Sequence, residues 1–103
     1  MIVKMVEIYQ DSGVSNYTEN TSPRKNYSLR EVYVNTSQIV SFREDPLTAT
    51  KMKNGLLQLE LNPMQEFTKL LLADGNMSRS MIVVGSPSVV ADKLNKGKQL
   101  LRG

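Results

Sequence analysis

Apolar and polar positions alternate in the second half of the chain, where two extended stretches follow each other. In the first stretch, the side chains of Thr68, Leu70 and Leu72 share one side of an extended segment. The second stretch, residues 81–84, is apolar and rich in β-branched side chains. Between them, residues 74–76 read Asp-Gly-Asn and tolerate the positive φ of a turn. The pattern predicts two antiparallel strands joined by a loop of three to five residues.

A helix is the alternative for the first stretch. Asn62 followed by Pro63, with Gln65 three residues after Asn62, is typical of a helix cap and first turn. The local pattern therefore leaves residues 63–73 open between strand and helix, and we favour the strand.

The residues after the second strand contain the start and stop signals of a helix. Ser86 can accept a hydrogen bond from the first turn, and Pro87 suits the first helical position, where no amide donor is needed. Val90 and Leu94 share one face, and Gly97 is typical of a helix end. We expect one helix over residues 87–96, packed on the sheet through that face.

The first half of the chain predicts three more strands, over residues 1–10, 29–35 and 38–44. Residues 11–28 are rich in Ser, Thr and Asn and hold almost no aliphatic side chain, which predicts a long, mobile polar loop. The neighbouring carboxylates of Glu44 and Asp45 would face opposite ways on a strand, so they cannot form an acid–base pair. We interpret them as a strand end.

Residues 47–65 contain the Asn54-Gly55 pair that a two-residue type I′ hairpin requires. Pairing outward from this turn puts a leucine-rich stripe on one side of an inserted hairpin. The stripe has to be covered, either by the sheet of the same domain or by a second copy in a homodimer. We therefore treat it as a candidate interface with a protein partner. It consists of Met52, Leu57, Leu59 and Leu61.

Length and composition predict a single domain over residues 1–103, mainly β (α+β), with a small antiparallel sheet or partly open barrel and one C-terminal helix. The chain has no His and no Cys, so the usual general base, nucleophile pairs and transition-metal ligands are absent. No enzyme, cofactor or metal site is predicted. The N-terminus resembles neither a signal peptide nor a membrane span, so we expect a cytoplasmic protein without a membrane partner.

Nucleic acid is a second candidate partner, although the net charge is only +3. Aromatic faces beside cations are how single strands are held, and the polar loop and the C-terminal end supply both. The alternative for the polar loop is a solvated loop without a binding role. The candidate contacts are Arg24, Lys25, Tyr27, Lys96, Lys98 and Arg102.

A series of short motifs resembles the FlbD-like (swarming-motility) small proteins and small proteins of large tailed bacteriophages. The resemblance covers about two thirds of the chain and implies a small antiparallel sheet closed by a C-terminal helix, with residues 67–72 as a strand. Residues 11–28 and 47–65 are not in the short flagellar versions. In order, the motifs are Val32-Tyr33-Val34-Asn35, Gln38-Ile39-Val40, Phe67-Thr68-Lys69-Leu70, Asp74-Gly75 and Val83-Val84-Gly85-Ser86-Pro87 with Val90 and Leu94.

Three functions follow as expectations. The first is a non-enzymatic interaction module that binds a protein partner or itself, in the host cytoplasm if it is phage-encoded. The second is a nucleic-acid-binding or transcription-regulatory protein. The third is a virion or assembly component. The motifs are turns, helix caps and core positions, so the resemblance supports a fold and gives little indication of an activity.

Overall fold

The computed structural model describes residues 1–11, 26–57 and 59–102. Within them the chain forms five strands, two α-helices and one short 3-10 turn, Thr36–Gln38. The strands and helices, in chain order, are β1 (Ile2–Asp11), β2 (Asn26–Asn35), β3 (Ile39–Glu44), α1 (Pro46–Lys53), β4 (Phe67–Asp74), β5 (Met77–Val84) and α2 (Pro87–Arg102).

The strands form one open sheet in the order β2-β1-β5-β4-β3, and all neighbours are antiparallel. The β1–β2 hairpin has ten residue pairs and the β4–β5 hairpin has eight. Between them, the described residues of β1 and β5 pair at two positions, Glu7 with Val83 and Ile8 with Ile82. The predicted mainly β fold with a C-terminal helix is confirmed, and residues 67–72 are a strand. The sheet is open, so the barrel alternative does not apply.

The β4–β5 turn is shorter than predicted. Asp74 pairs with Met77, which leaves two residues in the loop. Gly75 has a φ of 62°, and Asn76 does not have a positive φ. A positive φ at the first central position but not at the second is the pattern of a type II′ turn. The twist of this turn matches that of the flanking strands. The predicted loop of three to five residues is therefore wrong, because Gly75 permits the tighter turn.

The predicted hairpin within residues 47–65 is also wrong, because α1 begins at Pro46. Asp45 is its cap: its Oδ1 accepts from the backbone N of Thr48 at 3.3 Å and its Oδ2 from the Thr48 hydroxyl at 2.5 Å. The proline lies in the first turn, where a missing N–H removes no helical hydrogen bond. Glu44 does end β3 as predicted, whereas Asp45 starts a helix.

The Asn54-Gly55 pair that suggested a hairpin turn ends α1 instead. The backbone N of Gly55 donates to Met52 O at 3.2 Å, and that of Leu56 donates to Lys51 O at 2.9 Å. These two bonds define a Schellman motif, which needs a left-handed residue just after the helix. Gly55 supplies it with a φ of 72°, while Asn54 has an ordinary φ of −85°.

The sheet carries a core on each face. On one face, α2 covers the first cluster, with Val90 buried and Leu94 packed against it, as predicted. On the other face, α1 and the segment after it cover the second cluster. The first cluster consists of Met5, Val34, Leu70, Leu72, Met81, Val83 and Val90. The second consists of Ile8, Met52, Leu57 and Phe67.

Two boundaries differ from the expectation. α2 continues past Gly97 to Arg102, because one glycine inside a helix is tolerated at about 1 kcal/mol when good helix formers follow. The β1–β2 ladder extends into the predicted loop of residues 11–28 as far as the pair Asp11 and Asn26, because backbone pairing does not require aliphatic side chains. The rest of that predicted mobile loop, residues 12–25, lies outside the described residues.

Two neighbouring alanine substitutions distinguish the helix end from a hairpin turn. Gly55→Ala is expected to lower the free energy of unfolding by about 1 kcal/mol through its positive φ alone, since no atom lies within 4 Å of the added Cβ. Asn54→Ala should change it by less than about 0.5 kcal/mol. Urea denaturation measures both. A type I′ turn needs positive φ at both positions, so equal losses at the two would contradict the structure.

Candidate functional site

The predicted partner interface lies mostly inside the domain. Met52 and Leu57 are only 8% and 5% exposed, and Leu59 and Leu61 are half-buried against the same second cluster. Because α1 replaces the predicted hairpin, no arm extends toward a second copy, and the sheet of the same chain covers the stripe. These side chains therefore have little surface left for a partner.

Of the predicted nucleic-acid contacts, the structure describes the side chains of Tyr27 and Lys96 alone, and these two lie on opposite sides of the sheet. Arg24 and Lys25 lie outside the described residues, as do the side chains of Lys98 and Arg102. Tyr27 is half-buried against the second cluster, on the face opposite α2. Lys96 is exposed on α2.

A groove that the sequence reasoning missed lies between α2 and β3. Its volume is about 310 Å³, and its apolar wall includes Ile39, Phe42 and Leu94. At one end the backbone N of Thr36 donates to Met1 O at 2.9 Å, which ties the start of β1 to the turn before β3. The groove forms because Ile39 and Phe42 are only half-buried under α2.

β3 borders this groove and has a free outer edge. Among the residues the structure describes, β3 pairs with β4 alone. Asp45 N donates to Phe67 O at 2.9 Å. Because hydrogen-bonded and non-hydrogen-bonded pairs alternate in an antiparallel ladder, the backbone groups of Arg43 also face β4. The N–H and C=O of Phe42 and Glu44 consequently point away from the sheet.

A bulge interrupts the start of this edge. The register shifts between Ile39 and Ser41, and the extra residue, Val40, is 62% exposed. A bulge bends a strand locally and ends regular pairing. The regular part of the free edge therefore runs from Ser41 to Glu44.

A charged cluster on β1 and β2 is satisfied internally. Arg30 Nε donates to Glu7 Oε1 at 2.7 Å, and the guanidinium lies 4.3 Å from the centre of the Tyr9 ring. The Glu7 side chain is 12% exposed. Since each charged group already has its partner, the cluster stabilises the hairpin and offers no reactive group.

The described part of the chain contains no group of three or more acidic side chains placed to hold a metal ion. No helix in that part is both long and apolar enough to cross a membrane.

Comparison with known proteins leaves the class of protein open. No protein-family model matches the chain, and neither a curated protein nor a solved structure matches it. The resemblance to FlbD-like and phage proteins therefore stays a prediction.

Two adjacent leucines test whether the stripe belongs to the core. Leu57→Ala is expected to lower the free energy of unfolding by about 2–5 kcal/mol, because it empties a buried position in the second cluster. Leu56→Ala is the matched control: Leu56 is 66% exposed, so less than about 0.5 kcal/mol should be lost. Urea denaturation gives both values, and sedimentation equilibrium should show the same mass for both variants and the wild type. A Leu57→Ala chain that dissociates without losing stability would instead support the interface.

Proposed function

We propose that the protein is a non-enzymatic interaction module that binds an extended segment of a protein partner as an added strand on β3. The observation that carries the proposal is a free strand edge beside an apolar groove. Peptide-binding domains use this arrangement: backbone hydrogen bonds to the edge supply affinity, and pockets for alternate side chains supply specificity.

The backbone geometry favours an extended occupant. Phe42 and Glu44 each direct an N–H and a C=O outward, at the spacing that another β-strand satisfies. A helix uses its own backbone groups internally, so it cannot satisfy this edge.

The groove supplies the side-chain contacts. Phe42 lies on the α2 side of β3, and Ala91 and Leu94 of α2 face it across the groove. A strand added to β3 would direct every second side chain toward α2, because successive side chains alternate between the two faces. An apolar residue at those positions would fill the groove.

The other sheet edge, β2, is the weaker candidate. It is ten residues long, and the groove described above borders β3, with no residue of β2 in its wall. Each edge carries two charged neighbours, Arg30 and Glu31 on β2 and Arg43 and Glu44 on β3, so the groove is what distinguishes β3.

The resemblance to FlbD-like and phage proteins also adds a cellular location to the proposal. Following the resemblance, we place the module in the cytoplasm, of a bacterial host if the chain is phage-encoded. A second copy of this chain offers the same extended edge chemistry as a foreign protein.

A matched pair of substitutions at one position tests the edge. A random peptide library selected against the wild-type chain is expected to enrich sequences with apolar residues at alternate positions. A selected peptide should bind Glu44→Ala nearly as well as the wild type, and Glu44→Pro about fivefold more weakly. Proline removes the outward N–H of that residue, roughly 1 kcal/mol of hydrogen bonding, without removing a bond to β4. Fluorescence anisotropy measures each affinity, and thermal melts confirm that each variant is folded.

A second pair of variants tests the groove. Ala91→Glu puts a charge into it and should weaken the same peptide, whereas Ser88→Glu, at an exposed position of α2, should not. Sedimentation equilibrium identifies self-association: a dimer that Glu44→Pro dissociates and Glu44→Ala retains makes a second copy the partner. The proposal would be refuted if the selected peptides bound all of these variants with the same affinity. It would also be refuted if the library gave no more enrichment of peptides against this chain than against an unrelated protein.

A further inference from the structure

On the sheet face opposite α2, two neighbouring cations have no acidic partner among the residues that the structure describes. Arg43 of β3 lies directly opposite Lys69 of β4, and both side chains are exposed. In the part of the chain that the structure describes, the ion pairs are Lys4–Glu31 and Arg30–Glu7, and neither involves these two residues. Like charges directly opposite each other on antiparallel strands destabilise a sheet. The pair is therefore unfavourable for the fold unless something anionic binds it.

The acidic residues of β3 and β4 lie on the other face, and β5 contains none. Glu44 pairs with Thr68 and Asp74 pairs with Met77, and both pairs alternate with the positions that carry Arg43 and Lys69. The last turn of α1, which packs on the same face as Arg43 and Lys69, adds the exposed Lys51 and Lys53. Apart from Arg79 of β5, which pairs with Leu72 on the α2 side, the cations of β3, β4 and β5 lie on the face opposite α2, where these strands carry no acidic residue.

Hydroxyl groups surround the two cations. The register places Ser41 and Ser80 on either side of Leu71. Ser78 lies two residues before Ser80 on β5, on the same face. These residues line an open depression of about 480 Å³ together with Arg43, Lys69 and Arg79. Serine hydroxyls and cationic side chains are common donors to phosphate oxygens, while Leu71, 40% exposed, offers an apolar contact.

We propose that this face binds single-stranded nucleic acid through its phosphate backbone. Adjacent cations match a ligand whose charges follow one another along one side. An acidic peptide in extended form fits less well, because neighbouring side chains of a strand face opposite ways. The depression contains no aromatic side chain for base stacking, so the binding is independent of sequence and strongly dependent on salt.

Fluorescence anisotropy with a labelled oligothymidylate tests the proposal on the full chain. The Arg43→Gln/Lys69→Gln double variant is expected to lose about ten- to a hundredfold in affinity at low salt. Its plot of log affinity against log salt should be shallower by about 1.4, since each phosphate contact on a single strand contributes about 0.7. Lys4→Gln is the single-charge control on the same face at the other end of the sheet, and it should leave the affinity within about threefold.

A stability measurement separates a binding role from a structural one. Because the double substitution relieves like-charge repulsion, the melting temperature should stay the same or rise while binding falls. Glu44→Pro and Glu44→Ala lose the same charge, so they should bind the oligonucleotide equally, although Glu44→Pro alone weakens the peptide. The result is therefore independent of the peptide proposal. The inference would be overturned if the wild type showed no measurable binding of the oligonucleotide. It would also be overturned if Lys4→Gln lost as much affinity as the double variant, or if the wild type bound polyglutamate and not the oligonucleotide.

Discussion

The structure depends on one constraint: its central strands bury side chains on both faces of the sheet. Phe67 and Thr68 are neighbours on β4 that point to opposite faces, and neither is exposed. Burying a side chain such as Phe67 contributes about 1.5–3 kcal/mol, which is large beside the net stability of a small domain. The buried hydroxyl of Thr68 donates to Gly85 O at 2.8 Å, so this position adds no unsatisfied polar group. Each face therefore needs a cover.

Two helices of unequal length supply the covers, and the candidate surfaces lie where each cover ends. α2 is sixteen residues long and amphipathic, yet it leaves a groove beside β3. α1 has eight residues and covers the region around Phe67, leaving the face around Leu71 open. The two proposed partners thus use the two faces of the same edge of the sheet.

The sequence predicted much of the sheet but little of the surface. Alternation identified the strands, and the Ser86-Pro87 pair identified α2, because these signals are local. The sequence reasoning missed α1 for two reasons. An Asn-Gly pair is compatible with both a hairpin turn and a helix end, and the β-branched Thr48 and Thr50 favour a strand. Asp45 followed by proline was the signal that could have found it. The meeting of Arg43 with Lys69 depends on the pairing of β3 with β4 across an intervening helix and loop, which no local pattern contains.

The narrow junction between β1 and β5 determines the order in which the sheet can assemble. The two hairpins pair residues that are close in the sequence, so their loop-closure entropy is modest. The junction instead brings Glu7 to Val83, from opposite ends of the chain, for two residue pairs. Non-local contacts of this kind slow folding. During synthesis, β1 therefore emerges long before its partner, and its inner edge stays unpaired until β5 has left the ribosome.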